Sequence, residues 1–291
     1  MKDDTFSVPP SVQITRVSSP QLQEGVGSLS LTCTAKGNPA PSVFWVKGKN
    51  DWNPIEKKVL ELKPVRKEDS GNYFCFANNS LGRSEAKKTS VDVLYSPVIL
   101  STDPLVERQV SVGSRTVLSC SGEGNPGVSY QWKQRLPSGQ VLNRSLRDEL
   151  VIEKVSYRDD GEYRCSVFNT IGRMESEGVR IEVFGKPQFG TDSGTVRGIE
   201  GEVVTLDVEI CSDPKPATVT WQWAEVVLPL GSELDGRFKV ELLSVQGDCY
   251  ISRLTISSLT MQDTGEFIVK ATNKYGEDRV VMLLLVEGNQ S

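Results

Sequence analysis

Asp159-Asp160-Gly161-Glu162-Tyr163-Arg164-Cys165 has an earlier counterpart in Asp69-Ser70-Gly71-Asn72-Tyr73-Phe74-Cys75. A later one, Asp263-Thr264-Gly265-Glu266-Phe267-Ile268-Val269, has Tyr and Cys replaced. Each copy continues in register. Asn79, Asn169 and Asn273 stand four residues on, and Gly82, Gly172 and Gly276 three further. Asn and Gly tolerate positive φ, so each pair is expected in a hairpin turn. A segment repeated at this spacing points to a repeated structural unit. The 291 residues allow two or three domains of about 100–150 residues.

Upstream of the first two copies lies a second shared element. Trp45 follows Cys33 by twelve residues and Trp132 follows Cys120 by twelve, with Asn38-Pro39 and Asn125-Pro126 marking a turn between. The Cys…Trp…Tyr-x-Cys arrangement resembles the immunoglobulin fold, and the resemblance covers nearly the whole chain. It implies an all-β chain of three tandem immunoglobulin-like β-sandwich domains, at 8–95, 96–184 and 185–288. In that fold two antiparallel sheets pack about 10 Å apart, pinned by a disulfide from strand B to strand F with the Trp of strand C against it. The resemblance therefore pairs Cys33 with Cys75 and Cys120 with Cys165, and makes Tyr73 and Tyr163 tyrosine corners. The first two domains look like I-set or C2-type units, because 42 residues separate Cys33 from Cys75 and leave little room between strands C and E.

The third domain departs from the pattern. Aligning on Val203-Val204-Thr205-Leu206 puts Val208 and Val269 where the buried bridge should be, with Trp221 in the strand-C core position. Two valines fill such a gap as plain core residues. Cys211 and Cys249 remain. Side-chain alternation points both outward, at the end of strand B and the start of strand E, which are neighbours in this fold. A bridge within one sheet, on its outer face, is the expectation, and two free thiols are the alternative.

The absence of histidine removes Ser/His/Asp and Cys/His nucleophilic sites and His-bearing zinc sites. Six widely spaced cysteines without a C-x-x-C pair suit disulfides in an oxidising compartment rather than metal or redox motifs. No nucleophile–base pair, phosphate loop or metal cluster stands out, so neither an enzyme nor a cofactor is expected. The net charge of −5 is unevenly spread. Residues 1–95 carry 13 Lys and Arg against 10 Asp and Glu, residues 96–184 carry 11 against 12, and residues 185–291 carry 9 against 16. No part has the basic excess of a nucleic-acid binder. The longest late apolar run, Val280–Val286, is far short of the roughly 20 residues of a membrane span. Met1-Lys2-Asp3-Asp4 is not a signal peptide. An export leader, and an anchor if there is one, are expected outside the 291 residues. The junctions at Tyr95-Ser96-Pro97-Val98 and Phe184-Gly185-Lys186-Pro187 are too short for flexible coil, so a semi-rigid rod is expected.

Three sequons, at Asn78, Asn143 and Asn289, are candidate glycosylation sites on an extracellular chain. Alternation along strands C and F turns Phe44, Val46, Phe74 and Phe76 outward on the C–F–G face of domain one. The corresponding residues are Gln131, Lys133, Arg164 and Ser166 in domain two, and Thr220, Gln222, Ile268 and Lys270 in domain three. By that comparison domain one alone is apolar there, the mark of a protein interface, unless the 47–58 segment with Trp52 folds over it. Lys47, Lys49, Lys57, Lys58, Lys87 and Lys88 gather in the same domain, where a sulfated glycan or the acidic third domain of another molecule would find cations. Asp69, Asp159 and Asp263 belong to the turn before strand F, where the resemblance implies a structural contact to a basic residue. The expected function is extracellular protein recognition in cell adhesion, homophilic or with another immunoglobulin-superfamily protein, through the outer face of domain one. The rivals are a ligand- or glycan-binding receptor ectodomain, a soluble regulator of another receptor, and an intracellular scaffold.

Overall fold

The protein is described here from a computed structural model covering residues 6–48, 53–136, 138–190 and 194–288, with the side chains of 244–246 excepted. Apart from three single turns of 3-10 helix, every regular element among the described residues is a strand. The chain is all-β, built of sandwiches.

The first sandwich comprises β1 (Val8–Ser18), β2 (Leu29–Asn38), β3 (Ser42–Lys47), β4 (Ile55–Glu56), β5 (Val59–Leu62), β6 (Gly71–Asn79), β7 (Gly82–Arg83) and β8 (Lys87–Val91). One sheet runs β1-β2-β5, and the other runs β4-β3-β6-β7 with β8 also on β6. The second comprises β9 (Tyr95–Asp103), β10 (Glu107–Ser111), β11 (Thr116–Asn125), β12 (Ser129–Arg135), β13 (Val141–Ser145), β14 (Glu149–Ile152), β15 (Gly161–Phe168), β16 (Arg173–Glu175) and β17 (Val179–Phe184). Its sheets run β14-β11-β9 and β10-β17-β15-β12-β13. The third comprises β18 (Gln188–Phe189), β19 (Thr195–Ile199), β20 (Val204–Cys211), β21 (Thr218–Trp223), β22 (Val226–Pro229), β23 (Glu233–Leu234), β24 (Phe238–Gln246), β25 (Cys249–Ile256), β26 (Gly265–Asn273) and β27 (Gly276–Glu287). Its sheets run β18-β20-β25-β24-β23 and β19-β27-β26-β21-β22. By backbone proximity the chain forms two compact units. One holds residues 1–100, 122–129 and 167–174, and the other holds 101–121, 130–166 and 175–291.

The repeated heptapeptide shows why it recurs. Its Asp closes a 3-10 turn, and the carboxylate accepts the backbone N–H three residues upstream: Arg66 at 2.7 Å, Ser156 at 2.9 Å and Thr260 at 2.7 Å. The Tyr then folds back. Tyr73 and Tyr163 donate their hydroxyls to the Asp69 and Asp159 carbonyls at 3.0 and 2.8 Å. Gly161 has φ +144°, and a Cβ there would lie 2.9 Å from the Arg135 carbonyl oxygen, so only glycine fits. Two of the three Asp residues also hold a base. Arg144 meets Asp159 at 2.6 Å, and Arg237 meets Asp263. Asp69 departs from the expectation: among the described residues it has no ion pair.

The repeated asparagines were expected at positive φ. They do not adopt it; among the described residues only Ala224, Asp235 and Ser258 do so outside glycine. Asn earns its place through its amide. Asn79 donates to the carbonyls of Val8 and Pro39 at 3.0 and 3.1 Å and accepts Leu81 N–H at 2.9 Å. Asn169 makes the same set with Tyr95, Pro126 and Ile171, and Asn273 with Gly185, Pro214 and Tyr275. One side chain thus ties three segments together through their backbone groups.

Each core centres on a tryptophan: Trp45, Trp132 and Trp221 are almost fully buried. Cys33 is joined to Cys75 and Cys120 to Cys165. In the third core Val208 and Val269 are fully buried and Val269 faces Trp221 across the ladder. Cys211 and Cys249 face each other in the β20–β25 ladder and are joined. The alternation puts Cys211 on the outward side, yet it is buried rather than exposed, because the adjacent edge strand β18 pairs with β20 there.

Candidate protein-recognition face

The β4-β3-β6 sheet of the first sandwich turns one row of side chains to the core and the next to the outside. Val43, Trp45 and Lys47 stand opposite Ala77, Cys75 and Tyr73, the core-facing set. Phe44 stands opposite Phe76, and Val46 opposite Phe74, on the outer face. These four make a compact apolar square on neighbouring strands. The Phe44 and Phe76 rings stack with centroids 5.4 Å apart.

The square is less open than alternation implies. Phe44, Val46 and Phe74 are half-buried. Phe76 is only 5% exposed, so its expected exposure is corrected. Its cover is Arg83, whose guanidinium carbon lies 3.5 Å from the ring centroid. Arg83 stands opposite Asn78, two residues beyond Phe76 on the same face, which lets the long side chain lie back over the aromatic. Trp52, offered in sequence as an alternative cover, and Lys49 lie outside the described residues.

Across the sheet the outer face therefore reads Glu56, Phe44, Phe76 in one line, since Glu56 is paired with Phe44, and Arg83, from the adjacent line Ser42, Asn78, Arg83, reaches back to cap Phe76. A second line reads Val46, Phe74, Lys88. A carboxylate closes one edge and two cations the other. All three charged residues are exposed, and none has an ion-pair partner among the described residues. Of the clustered lysines, Lys88 shares this face, whereas Lys47 and Lys87 stand in the core-facing rows opposite Tyr73 and Cys75. Lys47 donates to the Glu68 carbonyl, and burial, with the nearby Asp69 charge, pushes the Tyr73 hydroxyl up to about 12. The lysines are not a single patch.

The matching face of the second sandwich is polar and internally paired: Lys133 meets Glu175 at 3.0 Å, and Ser166 is buried with its hydroxyl on Glu175 at 2.7 Å. The third sandwich holds a feature that comparing strands C and F alone missed. Its last strand is apolar on both sides. Val280, Met282, Leu284 and Val286 are buried, while Val281, Leu283 and Leu285 alternate outward and stay half-buried. Val281 stands opposite Ile268, so domain one is not alone in carrying an apolar outer face. The signal was present in the unbroken apolar run.

Asn78 and Asn143 are exposed. Asn78 shares the outer face of the first sandwich with Phe76, and stands opposite Ser42. Asn143 stands opposite Lys133 on β13, and its carbonyl accepts the Gln131 amide at 3.2 Å. Asn289 lies outside the described residues. Glu209, Cys211 and Cys249 offer ligand atoms within 4.8 Å of one another, but both sulfurs are committed to the bridge and have no thiolate to give a metal. No helix among the described residues is long and apolar enough to cross a membrane.

An immunoglobulin-domain family model matches residues 9–79 and 96–169, and the immunoglobulin I-set domain model matches residues 187–286. The chain is similar to human Kin of IRRE-like protein 3, 30% identical over 97% of the chain and 35% of that protein. It is also similar to human vascular cell adhesion protein 1, 27% identical over 92% of the chain and 35% of that protein. Human neural cell adhesion molecule 1 is 26% identical over 92% of the chain and 33% of its own length. The chain thus spans about a third of the length of these relatives. Among solved structures, the complex of Dpr2 Ig1-Ig2 with DIP-Theta Ig1-Ig3 gives a TM-score of 0.56 at 21% identity, over 94% of this chain and 99% of that one.

Proposed function

Because the chain belongs to the immunoglobulin superfamily, we propose that it acts in protein recognition between cell surfaces, by pairing the outer β4-β3-β6 face of its first sandwich with the same face of a second copy. Similarity to two human adhesion proteins supports the class of function. The line Glu56, Phe44, Phe76, with Arg83 reaching back over its end from the neighbouring row, supports the mode. That line is self-complementary. A two-fold axis parallel to the strands brings the left edge of one copy onto the right edge of the other. Glu56 then comes within reach of Arg83, Phe44 faces the guanidinium that caps Phe76, and Val46 meets Phe74. An isologous contact repeats each of these pairs, so one favourable pair counts twice. The flat apolar centre with a charged rim has the usual anatomy of a specific interface. Weak pairing suffices where many molecules meet on apposed membranes.

The test is sedimentation velocity over a concentration series. The chain free of N-linked sugar should self-associate, and Phe44→Glu, which puts a carboxylate into the centre of the face without touching the core, should leave monomer only, with unchanged circular dichroism. Self-association unaffected by Phe44→Glu removes the face from the mechanism. A sugar-free chain that stays monomeric and is captured by a different immunoglobulin-type partner through the same residues moves the reading to heterophilic recognition.

A further inference from the structure

Asn78 sits inside the surface that the pairing needs. It is on β6, two residues from Phe76 and on the same side, so the two Cβ atoms are about 7 Å apart. The same two-fold axis that joins Glu56 to Arg83 sets Asn78 of one copy over Ser42 of the other, because Asn78 and Ser42 are partners across β6 and β3. Both are exposed. The neighbouring Asn79 is consumed by its three hydrogen bonds, whereas the Asn78 side chain has no hydrogen bond among the described residues. A carboxamide at a strand end, with Ser80 two residues on in the turn, is a free acceptor for an oligosaccharide.

We propose that N-glycosylation of Asn78 is a gate on the recognition face: the glycosylated chain cannot pair, and the unmodified chain can. This rests on the self-pairing reading above and adds its control. In the modification the Asn78 Nδ2 attacks C1 of a lipid-linked oligosaccharyl pyrophosphate. The C1–N bond forms, the C1–O bond to the pyrophosphate breaks, the lipid pyrophosphate leaves, and the amide loses one proton to a base. A branched, hydrated sugar then stands where the second copy's β3 must lie, and the aromatic rows are held apart. Two Asn78 sites enter each symmetric contact, so one occupied site blocks both copies. Asn143 differs in kind. It lies on the outer face of the second sandwich, which is polar and already paired, so a sugar there leaves pairing untouched.

The experiment uses the whole chain secreted from a glycosylating cell line. Glycopeptide mass spectrometry first reads occupancy at Asn78, and sedimentation then reads self-association of the native chain, Asn78→Gln, Ser80→Ala and Asn143→Gln. Asn78→Gln and Ser80→Ala remove the same sugar through different atoms and leave the Asn79 clamp intact. The expected result is occupied Asn78 in the native chain, at least tenfold tighter self-association in both sequon variants, and no change in Asn143→Gln. Phe44→Glu in the Asn78→Gln background then separates the two ideas. If it abolishes pairing while the sequon variants match the native chain, the gate is wrong and the face stands. If it changes nothing, the face itself is wrong. An empty Asn78 in all secreted protein overturns the gate outright.

Discussion

Reversing one edge of the recognition face, and then the other, should weaken and restore self-pairing. Glu56→Arg places a cation opposite the Arg83 of the second copy. An ion pair at a partly exposed rim contributes about 1 kcal/mol, and the symmetric contact contains it twice. Turning two attractions into two repulsions of similar size costs about 4 kcal/mol, roughly a thousandfold in Kd. Adding Arg83→Glu should recover the electrostatic part, because each copy then offers a cation to a carboxylate again. Recovery should be incomplete, since Arg83 also covers the Phe76 ring at 3.5 Å and glutamate cannot replace that contact. Sedimentation equilibrium of the three proteins at two salt concentrations measures all of this, in the Asn78→Gln background so that no sugar intervenes. The Glu56→Arg penalty should shrink as salt rises. A double variant as weak as Glu56→Arg alone would show that these residues never face each other, and the two-fold arrangement would have to be abandoned. No effect of Glu56→Arg would do the same.

Three further outcomes follow from the sandwiches themselves. Burial chiefly pushes Tyr73 and Tyr157 up to about 12 and Tyr163 higher still; a raised pKa means their contribution to stability is complete below the ordinary value of 10.0 and is lost as pH climbs through the folded value, so near-ultraviolet absorbance titration should find these tyrosinates appearing together with alkaline unfolding rather than before it. Asn273→Ala leaves the Tyr275 N–H without its acceptor, while the Gly185 and Pro214 carbonyls keep only the Tyr157 and Ser212 hydroxyls, and should destabilise the third sandwich by about 1–3 kcal/mol in urea unfolding, with Asn273→Asp also destabilising because it sets a carboxylate against those two carbonyls. Val269→Ala opens a cavity against Trp221 and should cost about 2–3 kcal/mol, whereas removing both Cys211 and Cys249 should cost about 4 kcal/mol by the chain-entropy model yet leave a folded third sandwich with an unchanged near-ultraviolet signal from Trp221.

The fold was legible because its determinants are local. Asp, Gly and Tyr at fixed spacing encode a cap, a positive-φ turn and a hydroxyl that reaches back four residues, and each is visible without knowing what packs across. What alternation conveys is which way a side chain leaves the backbone; it says nothing about what then lies on top. Phe76 illustrates the gap, since its cover comes from Arg83, a residue on another strand that must bend back along the face. Asn79, Asn169 and Asn273 illustrate it differently. Their recurrence was plain, but the cause is an amide bonded to segments roughly 40 to 60 and 70 to 90 residues away, and no turn rule reaches that far. The outer residues of β27 are legible too, since an apolar run too short for a membrane span fits a strand with two apolar sides. The same physics bears on the gate. Asn78 and Asn79 are adjacent in sequence and one peptide step turns them to opposite sides of the strand, so one secures the sandwich while the other stands on the face where a second copy has to land. A single sequon residue placed by that alternation is enough to couple covalent modification to recognition without disturbing the fold, provided the neighbouring clamp holds, and this is why Ser80→Ala and Asn78→Gln should behave alike while Asn79→Ala should instead lower stability.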